Sequence, residues 1–143
     1  MVKHFSELES GHYLFRSMKP DGEHPSLGPT TRQLGLRTNA GEESDITIDD
    51  DGNVHPGDEG LSVTPDDPMR LKPYRRPEVW GGKKSCPPVW CIRIDELGSE
   101  LAYREDPNNP ENHGFIVPAY DMPFDRYKEL IEATCERWNI VVP

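Results

Sequence analysis

The fold is decided by residues 112–138, which read NHGFIVPAYDMPFDRYKELIEATCERW. The branched, apolar run 114–117 predicts a short strand, and Pro118 ends it because proline has no N–H to donate to a sheet ladder. A turn follows, in which Asp121 is expected to cap the N-terminus of a helix whose first turn tolerates proline. The stretch therefore predicts a strand, a turn and a helix in succession.

The helix is predicted from the spacing of its apolar side chains. They recur at steps of three, four and seven residues, which places them along one face of a helix. They are Phe124, Tyr127, Leu130, Ile131, Cys135 and Trp138. The charged residues between them lie off this face and are expected to face water. We therefore expect the helix to pack under a sheet, with His113 at one end of the preceding strand.

Length and composition predict a single domain over residues 1–143, large enough for one hydrophobic core. The hydrophobic content is 34% and the mean hydropathy is −0.78, both low for a globular chain. Fifteen prolines and twelve glycines favour short strands joined by loops over long helices.

The net charge excludes some classes of partner. A formal charge of −10 and a pI of about 4.9 argue against a nucleic-acid binder, which normally presents a basic face. The same charge argues against binding to an anionic membrane surface. No apolar run approaches the roughly 20 residues of a membrane span. We therefore expect neither nucleic acid nor membrane as a partner.

The three cysteines, Cys86, Cys91 and Cys135, are an odd and sparse set that favours reduced thiols. The first residues lack the apolar core of a secretory signal. These features predict that the protein acts in the cytoplasm. If it is delivered into a target cell, we expect delivery without a cleaved signal.

No metal site is expected. Zinc would need a second pair of ligands beside Cys86 and Cys91, and no Cys or His cluster supplies one. The spacing of Asp49, Asp51 and Asn53 resembles a calcium loop. That loop requires glycine at its sixth position and glutamate at its twelfth, where this chain has Val54 and Gly60.

Several further strands are predicted from alternation and from branched or aromatic residues. They lie within 12–18, 61–63, 89–94 and 101–104. Residues 20–45 are expected to be irregular, either as a binding loop or as disorder. An acidic hairpin is predicted around the turn 51–53, pairing 46–48 with Val54. The segment 68–84 is basic, and serves either to neutralise the acidic hairpin or to bind phosphates or an acidic partner.

Three polar residues lie at or in predicted strands: Arg16 in the first, Ser62 between two apolar neighbours, and His113 before the strand that enters the helix. Each has a purely structural alternative. Arg16 can pair with the acidic hairpin, Ser62 can be a buried sheet serine, and His113 can bond backbone at the strand entry.

In these stretches the chain resembles the ADP-ribosyltransferase-fold toxins exported by the type VI secretion apparatus, the Tse-type cytoplasmic toxins, and their relatives. The matching islands are 14–16, 60–63 and 113–119, with Met122 and Tyr127 beyond them. The resemblance spans most of the chain in order. Its most specific part is the third island, which runs into the helix.

The resemblance implies an α+β fold with a split, mainly antiparallel sheet around a cleft for NAD, few helices, and one C-terminal amphipathic helix. It also implies roles for the three polar residues: Arg16 would hold the dinucleotide, Ser62 would support Arg16, and His113 would act near the scissile glycosidic bond. Leu61 and Tyr120 are further expected contacts of NAD.

One position departs from the pattern of the family. Many transferases of this fold have a glutamate in the third motif, and this chain has His113. A neutral imidazole can bond a hydroxyl or take its proton, but it brings no negative charge. Glu111, two residues earlier on the same face of an extended segment, is the candidate to supply one.

The first functional hypothesis is a toxin-like ADP-ribosyltransferase that uses NAD to modify an intracellular macromolecule. The second is a non-catalytic module of the same fold that presents the basic segment 68–84 to a protein partner, such as an immunity protein, an antitoxin or a carrier. A third is an enzyme resembling the RNA 2′-phosphotransferases, against which the charge of −10 counts.

Overall fold

The computed structural model describes residues 2–37 and 44–143, which form eleven strands and one α-helix. In chain order the strands are β1 (Val2–His4), β2 (Tyr13–Ser17), β3 (Pro20–Asp21), β4 (His24–Pro25), β5 (Asn53–Val54), β6 (Leu61–Pro65), β7 (Val89–Arg93), β8 (Leu101–Glu105), β9 (Gly114–Pro118), β10 (Met122–Pro123) and β11 (Asn139–Val142). The helix is α1 (Phe124–Ala133). Short 3-10 turns span Phe5–Glu7, Pro68–Arg70, Pro73–Arg75, Glu78–Trp80, Ile94–Glu96 and Cys135–Arg137.

Seven strands form one sheet in the order β1-β11-β7-β2-β6-β9-β8. Its pairings are antiparallel except for β1 with β11, which are parallel. The predicted α+β class, the mainly antiparallel sheet and the C-terminal helix are therefore confirmed. The sheet is nevertheless mixed, because the last strand returns between β1 and β7 and lies parallel to the first.

The central strands are buried on both faces, because side chains alternate along a strand. On β2, Leu14 enters the larger core under α1, while Tyr13 and Phe15 enter a second cluster on the opposite face. On β7, Trp90 packs in the larger core and Cys91 in the second cluster. Two layers of side chains thus fix the sheet at the point where β2 meets its neighbours.

The predicted apolar face of the helix is confirmed in part. Phe124, Tyr127 and Ile131 are buried, as the spacing predicts. The α-helix ends at Ala133 rather than near Trp138, because the Thr134 hydroxyl donates to Ile131 O at 2.6 Å and the chain tightens into a 3-10 turn.

The expectation that Asp121 caps the helix is wrong. Pro123 occupies the N-cap position, and the first helical N–H, that of Phe124, donates to Gly52 O at 2.9 Å. The Asp121 carboxylate instead bonds His55 Nδ1 at 2.8 Å.

The acidic hairpin was also predicted wrongly. β5 pairs with β10 rather than with residues 46–48. Asp49 Oδ1 accepts the N–H groups of Asp51 and Asn53, and its Oδ2 lies 2.7 Å from His55 Nε2. His55 therefore lies between two carboxylates, and its bonds to Asp121 and Asp49 raise its pKa. Residues 38–43, which belong to the predicted irregular segment 20–45, lie outside the described residues.

The hydroxyl of Tyr127 links the helix to two strands. It donates to Ile116 O on β9 and accepts the N–H of Leu61 on β6 at 3.2 Å, and the side chain is fully buried. We predict that Tyr127→Phe lowers the free energy of unfolding by roughly 1–3 kcal/mol, because two buried backbone groups lose their partner. Denaturant unfolding measures this, with the exposed Tyr120→Phe as control. Equal midpoints for the two variants would contradict it.

No helix within residues 2–37 and 44–143 has the length and apolar character needed to cross a membrane.

Candidate functional site

The sheet opens between β2 and β6. These strands pair only at Leu14 with Pro65 and at Phe15 with Thr64, whereas the rest of β6 pairs with β9. Arg16 follows directly after the paired residues. Its Nη1 donates to Ser62 O at 2.9 Å. A side-chain hydrogen bond thus takes the place of backbone pairing between β2 and β6 at this point.

A cavity of about 440 Å³ lies at this opening. Arg16, Ser62 and His113 all line it, so the structure brings together three residues that are far apart in sequence. The volume lies within the roughly 300–1,000 Å³ of ligand pockets.

Arg16 is a half-buried cation whose hydrogen bonds all go to backbone carbonyls. Besides Ser62 O, its Nη2 donates to Gln33 O at 2.9 Å and to Thr31 O at 3.3 Å. Loss of water around the guanidinium lowers the pKa of Arg16 to about 10, so it stays charged at neutral pH. Its Nε is buried with no hydrogen-bond partner among the described residues. A guanidinium has five N–H donors and three are engaged here, which leaves the buried Nε–H and one N–H of Nη1 without a partner among the described residues.

Further cations surround Arg16. The cavity lining also contains Arg37, Arg70, Lys72 and Arg75. Two carboxylates accompany them, Asp45 and Asp106. Basic groups therefore outnumber acidic ones in this lining, although the whole chain carries −10. Such a concave cationic surface attracts anions.

Two of these cations form hydrogen bonds with residues that lie between β4 and β5. Arg37 forms two side-chain bonds to Asp45 Oδ1, at 3.0 and 3.2 Å. Arg75 Nη1 donates to Thr31 O at 3.2 Å, the same carbonyl that Arg16 contacts. Thr31 O thus holds the guanidinium groups of Arg16 and Arg75 next to each other.

His113 is held by a carboxylate. Its Nδ1 lies 2.7 Å from Asp106 Oδ2, and its ring meets Phe115 edge-on with centroids 4.7 Å apart. The hydrogen bond from His113 lowers the pKa of Asp106, which keeps that carboxyl ionised. The two residues flank the loop between β8 and β9, so antiparallel pairing of those strands brings them together.

The comparison with protein families adds a second line of evidence. Residues 13–139 match the family described as Tse2 ADP-ribosyltransferase toxin. The chain belongs to this family. The match confirms the resemblance predicted from the three short islands, and it covers Arg16, Ser62 and His113. Searches of curated proteins and of solved structures gave no match.

Three other residues considered from the sequence lie elsewhere in this Tse2-family toxin. Leu61 is buried in the core, because side chains alternate along β6 and Ser62 takes the cavity side. Tyr120 is exposed, and its hydroxyl donates to Glu100. The cavity lining includes neither residue, nor Glu111, so these placements do not support a role for them in ligand binding.

Several other residues that line the cavity were missed or left undecided from the sequence. Arg37 and Asp45 lie in a stretch without periodicity, so no pattern indicated them. Arg75 was part of a basic segment of undecided role. Asp106 had a usable signal, because strands were predicted directly before and after its loop, and hairpin pairing places residues 106 and 113 side by side.

The described part of this Tse2-family chain contains no group of three or more His, Cys, Asp and Glu side chains placed to hold a metal ion.

Proposed function

We propose that this member of the Tse2 family binds NAD in the cavity between β2 and β6 and transfers its ADP-ribose to a macromolecule in the target cell. The observation that carries the proposal is the convergence of Arg16, Ser62 and His113 on one cavity rich in cations.

The diphosphate of NAD fits the charge of this cavity. It carries two negative charges, and arginine offers a planar, permanent positive charge to such groups. Arg16 keeps one N–H of Nη1 without a partner among the described residues, and Arg75 and Lys72 line the same cavity. Among the described residues the half-buried guanidinium of Arg16 bonds backbone carbonyls and no carboxylate. NAD would supply the negative charge that is missing there.

The reaction itself requires orientation and charge stabilisation. Departure of nicotinamide leaves a cationic ribose, so a site accelerates the step by holding the dinucleotide in place and by stabilising developing charge. In this proposal Ser62 supports Arg16, because its carbonyl already accepts from that guanidinium, and His113 stands near the glycosidic bond.

NAD binding and cleavage by the purified protein test the proposal. We expect a calorimetric signal with NAD, release of nicotinamide, and growth arrest when the protein is expressed in bacteria. The matched control is a double charge reversal of Lys83 and Lys84, which are exposed and lie outside the cavity lining, and which should leave all three results unchanged. A folded wild type that neither binds NAD nor arrests growth would reject the proposal.

Only some residues can distinguish the alternative function, a protein-binding module, from the proposed NAD-dependent enzyme. Arg75 lines the cavity and holds Thr31 O, so reversing its charge would disturb both kinds of function. Arg76 lies outside the cavity lining in the same basic segment. Loss of partner capture on reversing Arg76, with NAD cleavage intact, would show that an immunity protein, antitoxin or carrier binds this segment independently of catalysis.

A further inference from the structure

The pair formed by Asp106 and His113 is built into the hairpin of β8 and β9. The last paired residues of that hairpin are Glu105 and Gly114, and the N–H of Asp106 donates to His113 O at 3.0 Å. Backbone and side chains therefore fix the two residues against each other at the edge of the cavity that both line.

The two oxygens of Asp106 have different partners. Oδ1 accepts the N–H of Asn108 at 2.9 Å, and Oδ2 lies 2.7 Å from His113 Nδ1. An ionised carboxylate can only accept hydrogen bonds, so the proton of a neutral His113 must lie on Nδ1. The lone pair is then on Nε2, which makes that nitrogen the hydrogen-bond acceptor of the ring.

We propose that Asp106 is a positioning residue that fixes this tautomer, so that His113 Nε2 is the general base for the acceptor, and that the pair supplies the negative charge absent from the third motif. This inference rests on the proposed function, because it requires NAD in the cavity.

The bond between ribose C1′ and the nicotinamide nitrogen breaks, and its electron pair leaves with nicotinamide, which becomes neutral. A lone pair of the acceptor's hydroxyl or amide forms the new bond to C1′, and the acceptor's proton moves to His113 Nε2. The resulting imidazolium is stabilised by Asp106 and later releases the proton to solvent. Water can serve as the acceptor, in which case NAD is hydrolysed.

The other charged groups that line the cavity are mostly cationic, so an imidazolium at His113 needs a carboxylate beside it. Arg70 approaches from the turn after β6, where its Nη1 donates to Glu111 O at 2.6 Å and pairs with Asp66 at 3.2 Å. The remaining charged groups that line the cavity are Arg16, Arg37, Asp45, Lys72 and Arg75. Most are cationic and oppose an imidazolium. Among the described residues, Asp106 is the carboxylate in direct contact with His113.

Asp106→Asn provides the test, since the change keeps the shape of the side chain. The amide oxygen should stay on the N–H of Asn108, which turns the NH₂ group toward His113 Nδ1. That group donates, so the ring proton should move to Nε2 and the base should be lost. We expect ¹⁵N NMR to show the tautomer change, and kcat for nicotinamide release to fall on the order of 10²–10⁴-fold with little change in KM for NAD.

Two further variants separate positioning from folding. Asp106→Glu keeps an acceptor for Nδ1 and should regain part of the lost kcat. In the double variant of Asp106→Asn with His113→Ala, the loss should equal that of His113→Ala alone, because both changes remove one unit.

The results distinguish this inference from the function on which it rests. If the wild type cleaves NAD and Asp106→Asn cleaves it equally fast, or if its tautomer is unchanged, the positioning role is wrong and the proposed function stands. If the wild type neither binds nor cleaves NAD, both are wrong.

Discussion

Replacing His113 by alanine is expected to slow nicotinamide release from NAD by orders of magnitude while the protein remains folded. The imidazole lines the cavity and is about one-third exposed, and its side-chain contacts are Asp106 and Phe115, so its removal leaves the core intact. Loss of a positioned base typically slows a reaction on the order of 10²–10⁴-fold. Steady-state kinetics with NAD measure the loss, and growth arrest on expression should disappear with it.

The control for this variant is His12→Ala. His12 is exposed and pairs only loosely with Glu9 at 3.7 Å, and it lies outside the cavity lining. Its removal should leave NAD cleavage and growth arrest unchanged. If His113→Ala retains wild-type cleavage, the assignment of the third motif to His113 is wrong, whatever the behaviour of the control.

The second large effect is expected at Arg16, where alanine should impair both folding and NAD binding. The guanidinium holds the carbonyls of Ser62, Thr31 and Gln33 at the opening of the sheet. Loss of a partner costs about 1–3 kcal/mol for each buried polar group, so we expect a fall of about 2–5 kcal/mol in the free energy of unfolding. Denaturant unfolding measures this part of the prediction.

The effect on NAD binding is tested with a second variant, because Arg16→Ala can lose NAD binding simply by unfolding. Arg16→Lys keeps the positive charge but not the planar fork of donors, so it should retain more stability than alanine and still lose NAD affinity in calorimetry. The exposed Arg32→Ala, in the neighbouring loop, is the matched control and should change neither quantity. Wild-type NAD affinity in Arg16→Lys would contradict the role proposed for the guanidinium.

The elements that sequence predicted well share a local signal. β6, β7, β8 and β9 alternate or are rich in branched residues, and each was found close to its observed position. β2 was found for the same reason. The apolar spacing of α1 also identified its buried face. In each case the side-chain period reports directly on the conformation of the segment that carries it.

The elements that were missed depend on pairing between distant parts of the chain. β1 pairs with β11 from opposite ends of the chain, and neither strand was predicted. Residues 46–48 carry a strand-like pattern, yet Ile46 packs into the core and β5 pairs with β10 instead. Local pattern cannot choose among such partners, because tertiary packing decides which pairing buries more apolar surface.

The candidate site shows the same contrast between local sequence pattern and contacts between distant parts of the chain. Arg16 and Ser62 lie on strands with a clear pattern, His113 directly precedes one, and the family resemblance linked the three. Arg37 and Asp45 lie in irregular chain, and their position depends on bonds that only the folded structure reveals. Local pattern thus indicated residues on or next to strands and left the role of the loop residues undecided.

NMR mapping of NAD on the labelled wild type tests most directly whether Arg16, Ser62 and His113 form one site. We predict saturable chemical-shift changes centred on Arg16, Ser62 and His113, with no comparable change at the separate hollow lined by Phe5, Leu8 and Tyr13. Changes confined to that second hollow, or a spectrum unaltered by NAD, would contradict the claim that these three residues form one dinucleotide site.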